Sequence, residues 1–520
     1  MNVDALLISI SALLFGVNLL LVLKHILGST PLSPERSPLS LAVLPITLLM
    51  ALLCINVVCF GDATLEGPNQ LALLGSAGLA TLLARKVGYH ADTLWGGVRQ
   101  AIGDTLEAIF ILLLIGALAG TWMLSGVVPA MINYGLMIMS PAYFLFASCA
   151  LCALVSLASG SSWSTIATVG VALLGIGQAL GFSPGLSAGA IISGAYFGDK
   201  MSPLSDTTNL APAMAGGSLI PHIRAMFWTT GPTMAITLVI FALLGLGASG
   251  EVDSARVEAL QQGLQAHVWI HPILFVVPAL VGFLIYKRIP TLLTLVLGTL
   301  LGGVIAVVAQ PALIEHVGGS AGMAGSFKAV VLSMSGKITL PADDPIIQKL
   351  LSSKGMFGML TTVWLTLCAL AFGGVMESSG FLNQITNTLL RRVQSNKGLV
   401  TATASTSVFL NVTASDQYLA IVVPGRMYRP RFEENGLAPE ALSRTLEDAG
   451  TVTSVLVPWN TCGATQSAVL GVATLTYLPF CFFNLLSPLM TVLFAWMGWR
   501  QPLLKDPNRS NEDLSAGPQL

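Results

Sequence analysis

The sequence predicts an all-α polytopic membrane protein with about eleven transmembrane helices and two re-entrant hairpins, arranged as two inverted-topology repeats. The prediction depends on the scarcity of charge, on apolar runs of span length, and on short patterns that recur at one spacing. Of the 520 residues, 54% are hydrophobic and only 9% are charged. A soluble domain carries roughly a quarter charged residues, so most of this surface is expected to face lipid.

Composition also narrows the classes of function. The formal net charge of −1, without a basic stripe, predicts no nucleic-acid partner. Cys149 and Cys152 form a CxxC in an uncharged apolar run, which is typical of helix packing rather than of redox or metal chemistry. No HExxH pattern occurs in the sequence, and no GxSxG pattern lies on an uninterrupted predicted span. The chain is therefore predicted not to be an enzyme and to need no cofactor, and its one inverted pair of repeats favours a carrier over a channel.

Apolar runs of about 20 residues are long enough to cross a bilayer. They predict spans over 4–24, 41–60, 70–84, 101–124, 225–248, 268–286, 291–310, 357–377 and 477–498. The first run lacks a basic start and a small-residue cleavage site, so we expect residues 1–40 to hold a retained extra span. Lysine and arginine cluster on one side of this arrangement. By the positive-inside rule, the 501–520 tail is cytoplasmic and the N-terminus is periplasmic, in a cell inner membrane.

Four further apolar stretches are interrupted by glycine, proline, serine and charged residues. They are 142–180, 186–216, 398–425 and 446–475. Irregular backbone at membrane depth is tolerated only where protein or a water-filled cavity satisfies its polar groups. The loop charges fit best if 142–180 and 398–425 are re-entrant hairpins and 186–216 and 446–475 are single discontinuous helices.

Short patterns recur at a spacing of 254 residues. This spacing pairs Gly126 with Gly380, Ser161 with Ser415, and Asp206 with Asn460. It divides the chain into repeat 1 over 41–250 and repeat 2 over 251–500, each with five spans and one hairpin. An odd number of crossings inverts the second copy. Inverted repeats whose discontinuous helices meet at the midplane are typical of secondary transporters.

The polar residues of the first repeat lie at its two interruptions. The first hairpin tip, SGSSWSTIATVG, offers hydroxyls beside the flexible Gly160, and its candidate binding residues are Ser161, Ser162 and Thr165. Such hydroxyls suit a partly dehydrated Na⁺, a carboxylate substrate, or simple helix packing. The discontinuous helix adds the candidates Asp199, Ser205, Asp206, Thr207 and Asn209.

Asp206 is the strongest candidate for a carboxylate that binds a cation or a proton. An intramembrane carboxylate costs about 2.5–3.5 kcal/mol on insertion scales, so it is a functional candidate by default. Asp206 lies at the break itself, whereas Asp199 either belongs to the site or pairs locally with Lys200. A carboxylate shared by Na⁺ and H⁺ would make the two ions compete.

The second repeat carries a related but asymmetric set. Its candidate binding residues are Asp416 and Gln417 at the hairpin tip, and Asn460 and Thr461 at the break. Glu447 and Asp448, at the mouth of the discontinuous helix, are either capping residues or proton-relay acids, and Arg444 is close enough in sequence to neutralise one of them. Glu377 is a third relay candidate, because the equivalent residue in the first repeat is Met123.

Four motifs together resemble the NhaC family of Na⁺/H⁺ antiporters, within the ion transporter superfamily. They are GAYFGDKMSPLSDTTNLAP, SGSSWSTIATVGVA, TASDQYLAIVVPGRMY and TLEDAGTVTS followed by PWNTCGA. The resemblance covers roughly residues 70–500 and implies a scaffold domain, a mobile transport domain, often a homodimer, and coupling to Na⁺ or H⁺. The contacts that it implies are Ser161, Ser162, Ser205, Asp206, Thr207, Asp416, Asn460 and Thr461, with Asp206 and Asp416 as Na⁺ ligands.

Two functions fit these observations. The first is Na⁺/H⁺ antiport by alternating access, with the two ions competing at midplane carboxylates. The second is Na⁺- or H⁺-coupled transport of an amino acid or organic acid, such as malate/lactate exchange, on the same scaffold. The partners are then a small ion or organic solute and the lipid bilayer. The sequence places no arginine within a span as a carboxylate clamp, which favours inorganic cations, although hydroxyls and amides also bind carboxylates.

Overall fold

The computed structural model describes residues 38–248, 254–287, 289–342, 347–348, 351–390, 393, 395–500 and 502–504. The predicted span 4–24 lies outside the described residues, as does all but 502–504 of the predicted tail. Helices dominate the described chain, and an antiparallel ribbon pairs Ile338–Thr339 with Ser352–Ser353.

The α-helices of the first half are Leu39–Phe60, Pro68–Val87, Ala91–Leu124, Val127–Ile138, Pro141–Ser159, Ser162–Thr165, Val171–Ala179, Pro184–Met201, Asp206–Ala215 and Leu219–Ala248. Those of the second half are Ser254–His267, Val276–Tyr286, Thr291–Ala309, Pro311–Gly318, Met323–Ser335, Leu360–Ser378, Phe381–Leu390, Asn396–Thr413, Leu419–Glu434, Pro439–Leu446, Thr461–Leu470, Thr474–Tyr477 and Phe482–Met497. Short 3₁₀ turns are Gly61–Glu66, Pro272–Phe275, Met356–Met359, Ser454–Leu456 and Leu478–Phe480, and π turns are Ile166–Gly170 and Glu447–Thr451.

Many of these helices suit a bilayer. Among the described residues, 7 helices are long and apolar enough to cross a membrane, or up to 9 if each of two sharply bent pairs is one span. Large apolar side chains are exposed on them, such as Leu243 at 64% and Val308 at 78%. The protein is therefore a multi-pass membrane protein, while the count of about eleven spans stays a prediction.

The chain breaks within all four interrupted stretches. We call Pro141–Ser159 and the helical run that begins at Ser162 the first hairpin, with its tip at residues 160–161. The first broken helix is Pro184–Met201 and Asp206–Ala215, the second hairpin is Asn396–Thr413 and Leu419–Glu434, and the second broken helix runs from Pro439–Leu446 to Thr461–Leu470. Their breaks lie at 202–205, 414–418 and 457–460. Whether each hairpin returns to its starting side of the membrane stays a prediction.

Local backbone geometry recurs at the spacing seen in the sequence. Gly126 and Gly380 are 254 residues apart and both adopt a left-handed backbone, with φ of 82° and 70°. Each glycine directly precedes a helix, Val127–Ile138 in the first case and Phe381–Leu390 in the second. Because glycine adopts this φ without strain, the same residue makes a similar turn at both positions.

The first broken helix packs closely on the first hairpin through two glycines. A Cβ atom on Gly194 would lie 2.0 Å from the Cys149 carbonyl oxygen, and one on Gly198 would lie 2.3 Å from that of Ala153. Between them, the Ser156 hydroxyl donates a 2.6 Å hydrogen bond to the Ala195 carbonyl. Small residues that let helix backbones approach are a common device in membranes. This contact fixes the break of the helix beside the hairpin tip.

Candidate transport site

A polar cavity of about 260 Å³ lies where both hairpin tips meet both broken helices. The lining includes Ser161 from the first tip, Ser205 from the first break, Gln417 from the second tip and Thr461 from the start of the last helical segment. The carboxylates that line it are those of Asp104, Glu107, Asp199, Asp206 and Asp416. No lysine, arginine or histidine is among the described residues of this lining. The cavity is therefore strongly acidic.

The carboxylate of Asp199 fastens the first broken helix to the first hairpin tip. Its Oδ2 accepts hydrogen bonds from the Ser162 backbone N–H at 3.0 Å and from the Ser162 hydroxyl at 2.6 Å. Ser161 in turn accepts from the Ser164 N–H at 3.2 Å, so the start of this helical run is capped. The expected alternative, local pairing of Asp199 with Lys200, is wrong, because the Lys200 ammonium binds Asp448 instead.

The carboxylate of Asp416 caps the second helix of the second hairpin. Its Oδ1 accepts from the backbone N–H groups of Tyr418 and Leu419, at 2.8 Å and 3.1 Å. The adjacent Ser415 has a left-handed φ of 62°, and its carbonyl accepts from the Thr461 N–H at 2.9 Å. Among the described residues, the other carboxylate oxygen, Oδ2, has only the Thr461 hydroxyl, at 3.5 Å. One oxygen of Asp416 is thus fixed and the other is available to a cation.

Asp206 is the first residue of the helix Asp206–Ala215 and is exposed. Within the described part of the chain its side chain makes no hydrogen bond. The hydroxyls of Ser205 and Thr207 flank it, 3.2 Å apart. Two of the three acids from the hairpin tips and breaks serve as caps, so Asp206 is the one whose carboxylate is free for a ligand.

Asp104 and Glu107 line the cavity, although they are not among the binding residues predicted from the sequence. Both are exposed on the helix Ala91–Leu124, three residues apart and thus on one helix face. The signal was in the sequence, since two acids one turn apart inside a long apolar run are costly without a function. The rings of Trp163 and Tyr418 also line the cavity, and a ring carries no comparable signal in an apolar sequence.

Four of the predicted ligands do not line the cavity, and three of these hold the breaks together. The Thr165 hydroxyl donates to the Ser161 carbonyl at 2.9 Å, and the Asn209 amide donates to the Ser205 carbonyl at 2.7 Å. Asn460 accepts from the Cys462 N–H at 3.0 Å and so caps the last segment of the second broken helix. The fourth, Ser162, acts on the site through Asp199.

The three relay candidates lie outside the cavity lining. Glu377 is exposed near the end of Leu360–Ser378, whereas Glu447 and Asp448 are fully buried. Arg444 forms no direct ion pair with either buried acid in the described chain, although its charge acts on Asp448 through space. In the described chain the Arg444 guanidinium donates to the Arg500 carbonyl at 3.0 Å, and the Lys200 ammonium forms the ion pair with the Asp448 carboxylate.

More than half of the chain matches a known protein family. Residues 194–499 match the model of the Na⁺/H⁺ antiporter family. The chain belongs to this family, and to its NhaC type. The matched range begins at the glycine that packs on Cys149 and includes both broken-helix breaks and the second hairpin.

Three relatives show how the family varies in substrate. The Na⁺/H⁺ antiporter NhaC of Alkalihalophilus pseudofirmus is 37% identical, over 80% of this chain and 88% of that protein. The malate-2H⁺/Na⁺-lactate antiporter of Bacillus subtilis is 35% identical, over 84% and 90%. The arginine/ornithine antiporter ArcD of Halobacterium salinarum is 35% identical, over 92% and 96%. The chain is similarly identical to antiporters named for different substrates, so sequence identity does not determine its substrate. The substrate has to be inferred from the residues of the site.

Proposed function

We propose that the protein is a secondary active Na⁺/H⁺ antiporter in which Na⁺ and H⁺ compete for the cavity carboxylates. The observation that supports this most directly is the carboxylate of Asp206, which faces an acidic cavity at a helix break without a hydrogen bond of its own within the described chain. An acid in this position can hold either a proton or a cation. The proposal takes Na⁺ and H⁺ as the coupling ions.

The charge of the cavity favours cations. Carboxylates confined together in a medium of low dielectric cannot all be ionised unless protons or cations compensate them. Binding of Na⁺ therefore expels protons, and binding of protons expels Na⁺. This competition is the physical basis of exchange at one site.

The oxygen atoms around Asp206 suit Na⁺. Carboxylate, hydroxyl and carbonyl oxygens are the ligands that hard cations prefer. We assign the Na⁺ position to the carboxylate of Asp206, the hydroxyls of Ser205 and Thr207, and the available Oδ2 of Asp416. Asp206 and Asp416 also lie at the N-terminal ends of the helices Asp206–Ala215 and Leu419–Glu434.

We further propose that access alternates between two inverted repeats, 41–250 and 251–500. Recurring left-handed glycines and the meeting of both hairpin tips with both breaks support it. Movement of one broken helix and its hairpin tip would then open the cavity to one side at a time. The inner-membrane location with a cytoplasmic C-terminus, and a homodimer, are part of the same proposal.

The size of the cavity favours a second candidate, coupled transport of a small organic solute. About 260 Å³ and two aromatic rings exceed what a single Na⁺ requires. Relatives named for malate/lactate and arginine/ornithine exchange are consistent with an organic acid or an amino acid. Five lining acids, with no basic residue among the described residues of the lining, favour a substrate that carries an ammonium over a dicarboxylate.

Transport by the purified protein in liposomes separates these functions. When a pH gradient is imposed on liposomes that contain the wild type, added Na⁺ is expected to dissipate it. With Asp206→Asn, the rate of dissipation is expected to fall to that of empty liposomes. Glu315→Gln removes an exposed acid that does not line the cavity, and it should keep the wild-type rate. If Na⁺ moves no protons while a labelled amino acid or dicarboxylate accumulates, the second candidate replaces the first.

A further inference from the structure

A second group of charged residues lies behind the cavity wall. Lys200, Glu447 and Asp448 are each 0% exposed. Lys200 directly follows the cavity residue Asp199, and the two acids begin the π turn Glu447–Thr451 of the second broken helix. The group contains two acids and one ammonium in an interior where an uncompensated charge is costly.

Asp448 is compensated by Lys200 and by hydroxyl groups. Its Oδ1 accepts from the Lys200 ammonium, and its Oδ2 accepts from the hydroxyls of Thr229, at 2.8 Å, and Thr491. The Ser487 hydroxyl lies 3.4 Å from Oδ1 and accepts from Lys200 at 3.2 Å. An ammonium and three hydroxyls surround Asp448, which is therefore a structural partner of Lys200.

Glu447 has the opposite surroundings. Within the described chain, neither of its carboxylate oxygens makes a hydrogen bond of ordinary geometry. The hydroxyls of Thr207 and Thr451 are its polar neighbours, and the Lys200 ammonium acts on it only through space while bonded to Asp448. A buried carboxylate with only two hydroxyl neighbours and no ion pair of its own in the described chain is unstable, whereas the neutral acid needs no counter-charge.

Thr207 connects this acid to the cavity. Its side chain is a polar neighbour of Glu447, and the residue also lines the cavity beside Asp206. A hydroxyl accepts one proton while it donates another, so it can pass a proton between the two sides of the wall. The first broken helix thus contributes both the cavity acid and the path to the buried acid.

We propose that Glu447 is a proton-binding site separate from the carboxylates that face the cavity. In the state described, Glu447 is neutral and Lys200 neutralises Asp448. When the cavity takes up a cation, the O–H bond of Glu447 breaks and the proton passes by way of Thr207 to solvent in the cavity. The positive charge of Lys200 then compensates the carboxylates of both Glu447 and Asp448. The coupling to Na⁺ depends on the proposed antiport, whereas the existence of the proton site does not.

The ionisable groups around this site determine when it titrates. The first broken helix contributes Asp199 and Lys200, and the second broken helix, which carries Glu447 itself, contributes Arg444 and Asp448. The helix Leu219–Ala248 contributes His222. His222 Nδ1 lies 2.8 Å from the Ser443 hydroxyl, and Arg444 donates to the Arg500 carbonyl. In the described chain only Lys200 forms an ion pair with an acid of this group, while the buried Arg444 guanidinium acts on Asp448 through space.

Infrared difference spectra of the full-length purified protein test the proton site directly. The wild type at low minus high pH should show the carbonyl stretch of a neutral, weakly hydrogen-bonded carboxylic acid, and Glu447→Gln should remove it. Glu440→Gln makes the same change at the N-terminal turn of Pro439–Leu446 and should leave the band in place. If Gln at 447 prevents folding, Glu447→Asp should shift the band. A band that is unchanged in either Glu447 variant overturns the proposal.

Tracer fluxes test the coupling. In proteoliposomes, Glu447→Gln should still exchange ²²Na⁺ for unlabelled Na⁺, but Na⁺ movement driven by a pH gradient should fall to background. Exchange of Na⁺ for H⁺ with the wild-type pH profile in Glu447→Gln would overturn the assignment. If the wild type moved no Na⁺ at all, the antiport proposal would fail, while the infrared band would still decide whether Glu447 binds a proton.

Discussion

Asp206 differs from Asp199 and Asp416 in what its oxygens contact. Asp199 and Asp416 accept backbone N–H groups at the starts of helices, whereas Asp206 has no such bond in the described chain. The sequence could predict that these acids are important, because each interrupts an apolar run. It could not divide them into caps and a free ligand. Nor could it pair Lys200 with Asp448, because 248 residues separate them and only the packing of the two broken helices brings them together.

The dual role of Asp416 gives a prediction for single residues. Asp416→Asn keeps an oxygen that accepts the Tyr418 and Leu419 N–H groups, so its free energy of unfolding should stay within about 0.5 kcal/mol of the wild type. Asp416→Ala removes the cap and should cost about 1 kcal/mol. Both should weaken Na⁺ binding, because the charge at Oδ2 is lost. Unfolding in detergent and Na⁺ titration measure the two effects, and an Asn variant as unstable as Ala would contradict the capping role.

The broken helices are the elements that the sequence predicted best. Their prolines, glycines and acids interrupt apolar runs, and the chain breaks within each predicted stretch. Short helices escaped prediction, as with Val127–Ile138 and Met323–Ser335, because 12 or 13 residues do not reach span length. The role of Gly194 and Gly198 emerges only from the packing, because they allow the first broken helix to approach the first hairpin.

This close approach predicts the effect of a single methyl group. Gly198→Ala places Cβ against the Ala153 carbonyl and the Leu157 backbone nitrogen, so the helices must separate, at a cost of about 1–3 kcal/mol. Gly78→Ala is the matched control, because a Cβ atom at this helical position meets nothing within 4 Å. Thermal unfolding of both variants in detergent measures the difference. Equal melting temperatures would mean that the glycine contact does not hold the break in place.

At the scale of the whole molecule, both halves of the chain contribute residues to one acidic cavity. The spacing of 254 residues in the sequence predicted that the two interrupted regions are related. It could not predict that a third element, the helix Ala91–Leu124, completes the cavity with Asp104 and Glu107. That contribution depends on how the helices pack, which no short pattern encodes. The size and charge of the site are therefore properties of the assembled fold.

Proton release on Na⁺ binding tests the central claim, competition at the cavity carboxylates, most directly. The purified protein is placed in weakly buffered detergent solution, Na⁺ is added, and a pH indicator reports the protons released. We predict saturable release with NaCl, none with the same concentration of choline chloride, and a much smaller release from Asp206→Asn. Binding of ²²Na⁺ by the wild type without release of protons at any pH would contradict the account.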